Sequence, residues 1–516
     1  MNKAKTFRAR LARFFAVPFY FLLFAAYPVL ALLSYNIPQI RYTAGIRSLV
    51  IAVAAAGLFF LLLRLLYRDW HRAAFATAAL TVLFYTYGQV FDYVTAKKWP
   101  IPHLTVWLGG LWIALAGLAL AWAGRRRTRV QNAALTLNVV SLGLVVVSTV
   151  QIIWWSVPAQ TKSPVDDHAP VQALDVPEGQ TPPDIYYIIP DSYGRSDLLR
   201  TAFGYDNSAF LSDLETMGFY VADCSQSNYN RTDVSLGSSL NMEYLQNLDD
   251  DFKPGNQGRR TLWDSIIHST VRYELESVGY KTVSFSTGFA WSELADADVY
   301  FSPSPVWSAM TGFETMLIRT TPARYLENLN LINLDQIDGQ RYRERTHLIL
   351  DSMEQLAHMP GPKFVFIHII SPHPPFVFGP DGSITDPAPF LNKDHRYTAS
   401  SYTEGYRNQA EYISSQLETA LSTLLAESAQ PPVIILQGDH APWLQTGNKK
   451  FTILNAYYLP GHADRLYPSI SPVNTFRLVL DSYLGADYPL LKDKSYYSPI
   501  PNIYEFEENP NPCLDR

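Results

Sequence analysis

The chain has 516 residues, a formal net charge of −6, and 48% hydrophobic and 14% aromatic residues. This aromatic content excludes an intrinsically disordered chain. The charge is uneven: residues 1–157 contain 16 basic and two acidic residues, and the remainder carries a net charge of −20. Two such different parts do not form one globular core. We expect no nucleic-acid partner for the acidic part, because phosphate binding needs a basic face.

Residues 1–157 are predicted to form a transmembrane domain with five helices. Each of five apolar stretches is close to the roughly 20 residues that cross a hydrocarbon core. They are residues 14–34, 48–66, 73–95, 103–123 and 131–155. The first stretch is too long for the apolar region of a signal peptide and lacks a small-residue cleavage site, so we expect it to be retained.

The basic residues at the ends of these stretches predict the orientation in the membrane. Twelve lie on one side, beginning with those before residue 14, and four lie on the other side. The positive-inside rule then places the N-terminus in the cytoplasm. We therefore expect a multi-pass protein of a plasma or inner membrane. With five spans, the residues after 157 lie on the exoplasmic face.

A linker and a second domain follow. Residues 158–183 contain six prolines and no apolar period, which indicates a semi-extended linker. Residues 184–516 alternate short apolar runs with helical patterns, which is typical of an α/β domain with a largely parallel sheet. Strands are predicted at 185–189, 219–222, 280–286, 363–370, 432–437 and 452–459. Helices are predicted at 207–217, 232–246, 259–278, 340–358, 404–426 and 473–484.

Polar residues interrupt this pattern at the ends of predicted strands, where open α/β sheets bind ligands. Asp191 directly follows the first strand in IYYIIPDSYG and suits a metal, although Asp-Ser-Tyr-Gly is also a turn sequence. Thr232 in SNYNRTDVSLG lies at a predicted helix N-cap. It is either an ordinary cap or a nucleophile whose phosphorylated form is stabilised by the helix end.

Two further strand ends carry histidines. In FIHIISPHPPF, His368 is best interpreted as a core histidine, whereas His373 lies in a proline-rich loop that cannot be a regular helix. In VIILQGDHAPW, Asp439 and His440 offer one oxygen and one imidazole ligand, as a zinc or manganese site requires. Taken alone, Asp439 and His440 could instead be a hydrogen-bonded pair that binds no metal.

Together these motifs resemble the alkaline phosphatase superfamily, in its membrane-anchored sulfatase-like branch of lipoteichoic acid synthases and lipid A phosphoethanolamine transferases. The resemblance implies a five-helix transmembrane bundle followed by an alkaline-phosphatase-like α/β domain. It also implies that Asp191, Asp439 and His440 hold a metal, that Thr232 is the metal-bound nucleophile, and that His373 contacts the transferred group.

The sequence departs from this family in two places. The transferases usually have Glu where Asp191 stands, and APWLQTGNKK replaces the HG-type element after Asp-His. The resemblance therefore does not identify the donor headgroup, and both a transferase and a hydrolase are compatible with the sequence. The C/S-x-P-x-R context of a true sulfatase is missing, because Asn-Arg-Thr-Asp-Val stands there, so sulfate ester hydrolysis is disfavoured.

The resulting hypothesis is a membrane-bound, metal-dependent phosphotransferase that uses one divalent ion, zinc or manganese. It would move a phospholipid-derived phospho-headgroup to an envelope glycan or lipid through a phosphothreonine at Thr232. His373, His368, Asn228 and Arg231 are the predicted substrate-binding residues, with loop packing as the alternative for the last two. The competing hypotheses are a phosphodiesterase or phosphatase with water as the acceptor, and a membrane-anchored scaffold without catalysis.

The two cysteines, Cys224 and Cys513, both belong to the acidic part. A single disulfide that ties the C-terminal tail to the domain and a pair of free thiols are both compatible with the sequence, which does not reveal their separation.

Overall fold

A computed structural model describes the ranges 17–37, 42–97, 101–125, 127–156, 181–303, 310–386 and 398–513, and the single residues 40, 99, 174 and 176. Most of the predicted linker 158–183 lies outside these residues. The chain divides into two compact units, residues 1–159 with 309–334, and residues 160–308 with 335–516. We call them the membrane unit and the sheet unit. The described part of 309–334, here the inserted segment, falls within the predicted outer domain 184–516 but packs in the membrane unit.

Five apolar helices build the first part of the membrane unit. They are α1 Tyr20–Asn36, α2 Ile46–Tyr67, α3 Trp70–Ala96, α4 Leu104–Arg125 and α5 Arg127–Ser156. Among the described residues, four helices, α2 to α5, are long and apolar enough to cross a membrane. The predicted count of five is corrected to four, because α1 has only 17 residues.

Helix α1 nevertheless packs into the bundle. Tyr20 and Phe21 are buried in one cluster with Phe60 of α2 and small residues of α3. Asn138 of α5 accepts a hydrogen bond from the Tyr20 amide and donates one to the Val17 carbonyl, each at 2.8 Å. These bonds pair backbone groups at the start of α1. The first N–H groups of a helix have no carbonyl partner within the helix itself.

The inserted segment adds two short helices to the membrane unit, Gly312–Arg319 and Ala323–Asn328. Thr311 caps the first of them in a capping box with Glu314. Phe313 and Leu317 are buried with Val29 and Leu33 of α1. No periodicity in the sequence distinguishes this segment from the helices of the sheet unit, so its position depends on tertiary contacts.

The sheet unit is built on seven strands. They are β1 Ile185–Pro190, β2 Tyr220–Val221, β3 Lys281–Phe285, β4 Val299–Phe301, β5 Lys363–Ile369, β6 Val433–Gln437 and β7 Asn455–Tyr458. Their order is β2-β7-β6-β1-β5-β3-β4. The five strands β6, β1, β5, β3 and β4 are parallel, and β7 pairs antiparallel with both β6 and β2. This confirms the predicted largely parallel sheet.

Helices cover both faces of this sheet. The longer ones are α6 Ser208–Thr216, α7 Thr232–Ser239, α8 Arg260–Ile267, α9 Thr270–Ser277, α10 Leu334–Asp351, α11 Met353–His358, α12 Ala399–Glu427 and α13 Pro472–Leu484. Short helical pieces occupy Ser196–Leu198, Leu199–Phe203 and Leu245–Leu248. A two-stranded sheet, β8 Ser495–Tyr497 and β9 Glu507–Asn509, lies near the C-terminus.

Alternation along β1 divides the core into two layers. Tyr186 and Ile188 belong to the cluster that contains α12, whereas Ile185, Tyr187 and Ile189 belong to the cluster that contains α13. Both faces of β1 are therefore buried, as expected for a parallel strand covered by helices on each side.

The helix predicted over 259–278 is two helices, because Ser269 begins α9 by accepting a hydrogen bond from the Arg272 amide.

Cys224 and Cys513 form a disulfide with Cα atoms 5.5 Å apart. The bond fixes the C-terminal tail to the segment after β2.

Candidate active site

Three neighbouring strands bring three potential metal ligands together. Asp191 follows β1, His368 lies in β5 opposite Ile189, and Asp439 follows β6 by two residues. Since the three strands are parallel, their carboxyl ends meet at one edge of the sheet. One ligand atom from each of these three buried residues lies within 4.8 Å of the others.

His440 and Thr232 complete the cluster. The Thr232 hydroxyl oxygen lies 3.2 Å from Nε2 of His440. The same nitrogen lies 3.4 Å from Oδ2 of Asp439 and 3.7 Å from Oδ1 of Asp191. Four side chains from three separate segments of the chain therefore converge on one point, and His368 joins them through Nε2, 3.3 Å from Oδ2 of Asp191.

Thr232 is the first residue of α7, and Arg231 occupies the N-cap position. This corrects the predicted N-cap role of Thr232. No side-chain capping bond is formed at this end of the helix. The Thr232 hydroxyl is therefore directed to His440 while remaining beside the positive end of the helix dipole, which favours negative charge.

Hydrogen bonds fix the orientation of both imidazoles. Nδ1 of His440 lies 2.7 Å from the Ala441 carbonyl oxygen. A carbonyl only accepts, so Nδ1 carries the proton and the Nε2 lone pair is available to a cation in the neutral ring. Nδ1 of His368 contacts the Ser292 hydroxyl at 3.0 Å, which again leaves Nε2 facing the cluster.

The polar atoms of the cluster fit a divalent cation. Nε2 of His368 and Oδ2 of Asp439 are buried, and their contacts with Oδ2 of Asp191 and Nε2 of His440, at 3.3 and 3.4 Å, are not hydrogen bonds. Buried polar atoms that form no hydrogen bond with the described residues are costly. Two carboxylates, two imidazoles and a hydroxyl are suitable ligands for zinc or manganese. The buried Asp-His-Asp group thus supports a divalent metal and leaves the choice between zinc and manganese open.

Ser192 holds the two carboxylates in place. Its backbone amide donates to Oδ1 of Asp439 at 2.8 Å, and its hydroxyl donates to Oδ1 of Asp191 at 3.0 Å. Its φ of 62° lies in the left-handed region, which is unusual for a residue other than glycine. Ser192 was not among the predicted site residues, although it stands in the turn sequence that follows β1.

The cluster shifts the pKa values of its members. Burial by itself would raise the pKa of Asp191, but His373, His368 and His440 outweigh it and lower that pKa far below its usual range. Burial by itself would lower the pKa of His440, but Asp439 and Asp191 raise it. Both shifts favour the charged forms of these two groups, and a bound cation would compete with the His440 imidazole for the same carboxylates.

His373 lies in the loop after β5 and is half-buried. Its amide donates to the Asp191 carbonyl at 3.1 Å, and its Nδ1 donates to the Pro374 carbonyl at 2.6 Å. The first bond ties this loop to the residue that follows β1. Contact of His373 with a transferred group stays a prediction.

Arg231 and Asn228 make different contacts. Nη2 of Arg231 binds both carboxylate oxygens of Asp233, and its Nη1 is buried without a hydrogen bond to any described residue. The Asn228 side chain binds Ser471, the Lys494 carbonyl and the Val473 amide. These are packing contacts with the C-terminal segment, and substrate binding by Asn228 stays a prediction.

Tyr342 and Arg345 of α10 adjoin His368 but were not identified from the sequence. Together with Ser286 and Thr287 they line a small cavity beside this histidine. The Arg345 guanidinium lies over the Tyr342 ring, 4.9 Å from its centroid. A helix period alone does not indicate which of its polar residues face a site, so no sequence signal was available here.

No protein-family model and no curated protein matches the sequence. Solved structures with some similarity include lipooligosaccharide phosphoethanolamine transferase A, an integral membrane protein of Neisseria meningitidis. It has 12% identity and a TM-score of 0.40 over 91% of this chain and 95% of that one. The zinc complex of the C-terminal periplasmic domain of EptC from Escherichia coli has 13% identity and a TM-score of 0.41, over 62% and 87%.

A third similar structure is the phosphonate monoester hydrolase of Agrobacterium radiobacter, with 12% identity and a TM-score of 0.38 over 62% of this chain and 82% of that one. Phosphoethanolamine transferases are also among the enzymes that the sequence motifs resemble. Similarity at this level assigns no substrate, so the inferred function has to come from the cluster around Thr232.

Proposed function

We propose that the chain is a membrane-bound, metal-dependent phosphotransferase that forms a phosphothreonine at Thr232. A single observation carries this proposal. The Thr232 hydroxyl lies 3.2 Å from His440 in a buried group of Asp191, His368 and Asp439, at the positive end of α7. A structural role does not require a threonine hydroxyl, two carboxylates and two imidazoles to share one buried site.

One divalent ion, zinc or manganese, would be held by Asp191, Asp439, His440 and His368. When bound, it would lower the pKa of the Thr232 hydroxyl and offset negative charge on the phosphoryl oxygens. His368 joins this set because its buried Nε2 faces Asp191. Its prediction as a substrate-binding residue is therefore replaced, within the proposal, by a role as a ligand.

The Thr232 hydroxyl releases its proton to solvent and its oxygen attacks the phosphorus of a phosphodiester, so that one P–O bond forms to Thr232 and the P–O bond to the leaving alcohol breaks. Backbone N–H groups at the start of α7 stabilise the charge on the phosphoryl oxygens. His373 donates a proton to the departing oxygen. With a phospholipid donor, the leaving alcohol is diacylglycerol.

The second half of the reaction releases the group from Thr232. A hydroxyl of an envelope glycan or lipid attacks the phosphothreonine, a new P–O bond forms, and the Thr232 oxygen regains a proton. Water in place of this hydroxyl gives the hydrolase alternative. Arg231, whose Nη1 is buried without a hydrogen bond to the described residues, is our candidate for holding the headgroup.

A lipid donor is supported by the four helices that are able to cross a membrane. We propose a plasma or inner membrane location with the sheet unit on the exoplasmic face. The disulfide between Cys224 and Cys513 supports an oxidising compartment for the sheet unit.

The proposal is tested with the full chain in vesicles of equal parts phosphatidylethanolamine and phosphatidylglycerol, loaded with zinc or with manganese. Release of diacylglycerol is measured, and Thr232 is examined by mass spectrometry. Thr232→Ala should reduce turnover by at least about 10³-fold and abolish the modified peptide. Thr201→Ala removes an exposed hydroxyl of the same unit and should turn over like the wild type.

Unchanged turnover in Thr232→Ala would refute the proposal. The fate of the headgroup separates the two enzymes. Transfer to an added glycan or lipid acceptor supports the transferase, and a soluble phosphoester supports the hydrolase.

A further inference from the structure

Several arginines of the membrane unit lie at one end of its helix bundle, where α2 turns into α3 and α4 turns into α5. The Tyr67 hydroxyl of α2 donates to the Leu120 carbonyl of α4 at 2.9 Å, which brings these two helix ends together. The arginines at this end, here the basic end, are Arg64, Arg68, Arg72, Arg125 and Arg129. Residues 1–157 contain only two acids, Asp69 and Asp92, and Asp92 belongs to the far end of α3.

The two ends of the membrane unit differ in how their arginines are paired. At the other end, Arg47 binds Glu314, and Arg319 and Arg324 both bind Glu327. Among the residues that the structure describes, no arginine of the basic end forms an ion pair. A half-buried cation without a counter-charge is costly. The basic end therefore favours a negatively charged ligand from outside the described chain.

Arg68 occupies a backbone position that favours glycine. Its φ is 53°, and its amide donates to the Arg64 carbonyl at 2.9 Å, as is common for the residue that ends a helix. Glycine adopts this left-handed conformation without strain, whereas a residue with a Cβ atom does not. The fold of the turn thus gives no reason for an arginine at position 68.

The guanidinium group of Arg64 is held in place at this turn. It lies over the Trp70 ring, 5.5 Å from the ring centroid, and Phe60 packs against the same ring at 5.3 Å. Arg64 and Arg72 are half-buried, and none of their guanidinium nitrogens donates a hydrogen bond to a described residue. Guanidinium groups that are positioned and unpaired are well suited to the oxygens of a phosphate.

The surface beside these arginines is apolar. Leu62, Leu65 and Leu66 of α2 are 54, 75 and 71% exposed, and Trp70 is 56% exposed. Helix α2 is long and apolar enough to cross a membrane, so its exposed leucines would meet acyl chains. An exposed tryptophan at the end of such a helix is typical of the headgroup level. This surface suits a phosphate that is attached to acyl chains better than a free phosphate ion.

We propose that Arg64, Arg68 and Arg72 bind the phosphate of an anionic phospholipid, whose acyl chains lie along the exposed leucines of α2. Basic groups at the ends of membrane-spanning helices bind anionic lipids, because each arginine adds to the attraction. A zwitterionic lipid binds less well, since its own ammonium group offsets the phosphate charge. This site is separate from the cluster around Thr232 and does not rest on the proposed function.

The binding test uses the full chain with Thr232→Ala, so that no lipid is consumed. The protein in detergent is titrated with phosphatidylglycerol or phosphatidylcholine, and bound lipid is counted by native mass spectrometry. Phosphatidylglycerol should bind at least about tenfold more tightly than phosphatidylcholine. Equal binding of the two lipids would overturn the proposal. Displacement of the lipid by millimolar inorganic phosphate would show a site for free phosphate instead.

Two arginines of the basic end provide a matched pair. Arg72 is half-buried, whereas Arg129 is exposed, and glutamine removes one charge from the same end at either position. Arg72→Gln should weaken phosphatidylglycerol binding about fivefold, and Arg129→Gln by less than about twofold, because an exposed charge is screened. Equal losses would show diffuse attraction by surface charge and overturn the proposed site.

Arg68→Gly separates lipid binding from folding. Glycine relieves the left-handed strain, so the thermal midpoint in phosphatidylcholine vesicles should equal or exceed that of the parent protein. Phosphatidylglycerol binding should nevertheless fall about fivefold, because one cation is lost. A lower midpoint with unchanged phosphatidylglycerol binding would assign Arg68 to the fold of the turn and remove it from the site. Because no turnover is measured, these outcomes are independent of the phosphothreonine at Thr232.

Discussion

The two units of the molecule bury opposite kinds of chemistry. The sheet unit brings two carboxylates and two imidazoles together at the ends of β1, β5 and β6, and leaves buried atoms of His368 and Asp439 without hydrogen bonds to described residues. The membrane unit surrounds an apolar cavity that α1 to α4 and the inserted segment line. Buried charge requires a counter-charge, whereas an apolar lining requires none. The sheet unit thus favours a cation, and the cavity of the membrane unit favours no charged ligand.

The largest expected effect concerns the charged cluster. Asp439→Asn should remove most of the bound zinc or manganese and lower turnover by at least about 10³-fold, because a carboxylate is replaced by a neutral amide. Metal analysis after dialysis measures the first effect. Asp223→Asn, an exposed position in the same unit, is the control. Metal content equal to the wild type would contradict the predicted site.

His368→Ala tests whether His368 is a metal ligand or a core residue. If His368 is a ligand, this change should weaken zinc binding by about 10–100-fold, measured by titration of the metal-free protein. If His368 only fills the core, the protein should be less stable but bind zinc normally. His462→Ala, a histidine outside the cluster that packs on Tyr483, is the control.

Loss of the disulfide should have the next largest effect on the sheet unit. Replacing both Cys224 and Cys513 by serine should lower the free energy of unfolding of this unit by roughly 2–5 kcal/mol, because the unfolded chain regains freedom. Urea unfolding followed by tryptophan fluorescence measures the change. The membrane unit, which contains neither cysteine, should keep its thermal stability. Alkylation of both cysteines in the native, unreduced protein would contradict this prediction.

Glu274 makes the stability of the sheet unit depend on pH. This carboxyl is fully buried, and burial raises its pKa from 4.5 to about 7, although a hydrogen bond from Tyr488 opposes the rise. Folding therefore takes up a proton between these values, and the contribution of Glu274 to stability falls as pH rises from about 4.5 to 7. The loss is on the order of 3 kcal/mol.

Glu274→Gln should remove this slope, since glutamine does not titrate. Urea midpoints at pH 5 and pH 8 measure it, with Glu215→Gln at an exposed position as the control. An unchanged slope in Glu274→Gln would show that another group is responsible.

The smallest expected effect concerns the wall of the apolar cavity. Gly88→Ala places a methyl group against the Arg319 carbonyl oxygen, which should weaken packing of the inserted segment by roughly 1–3 kcal/mol. Hydrogen exchange of residues 310–334 should then become faster. Gly143→Ala, where a Cβ atom meets nothing within 4 Å, is the control. Equal exchange in both variants would mean that the close approach at Gly88 does not hold the segment.

Much of the sheet unit could be predicted from its sequence. All six predicted strands are present, because each is a short apolar run bounded by turn residues. The strand β4 and the pair β8 and β9 were missed, since these three-residue strands carry no periodic signal. Asp191, Asp439 and His440 were predicted as site residues because they end apolar runs, and Thr232 because it opens a helix. The structure brings these four side chains together, and their roles stay predictions.

Other residues of the site could not be assigned in this way. His368 has the pattern of a core residue, and only the parallel pairing of β1 with β5 places it opposite Ile189 and beside Asp191. The Thr232 hydroxyl was expected to cap α7, but the helix begins one residue earlier than that role requires. Both outcomes depend on contacts between segments that are distant along the chain.

Local sequence patterns are enough to predict the apolar helices, the strands and the residue types that end them, because hydrophobic periodicity and turn preferences act over a few residues. The folded chain was needed to show that His368 joins the cluster, that four helices rather than five have the length to cross a membrane, and that residues 310–334 pack with the membrane unit. The physical reason is that strand order, helix ends and docking depend on the packing and desolvation of surfaces formed by separate segments, which no local pattern specifies.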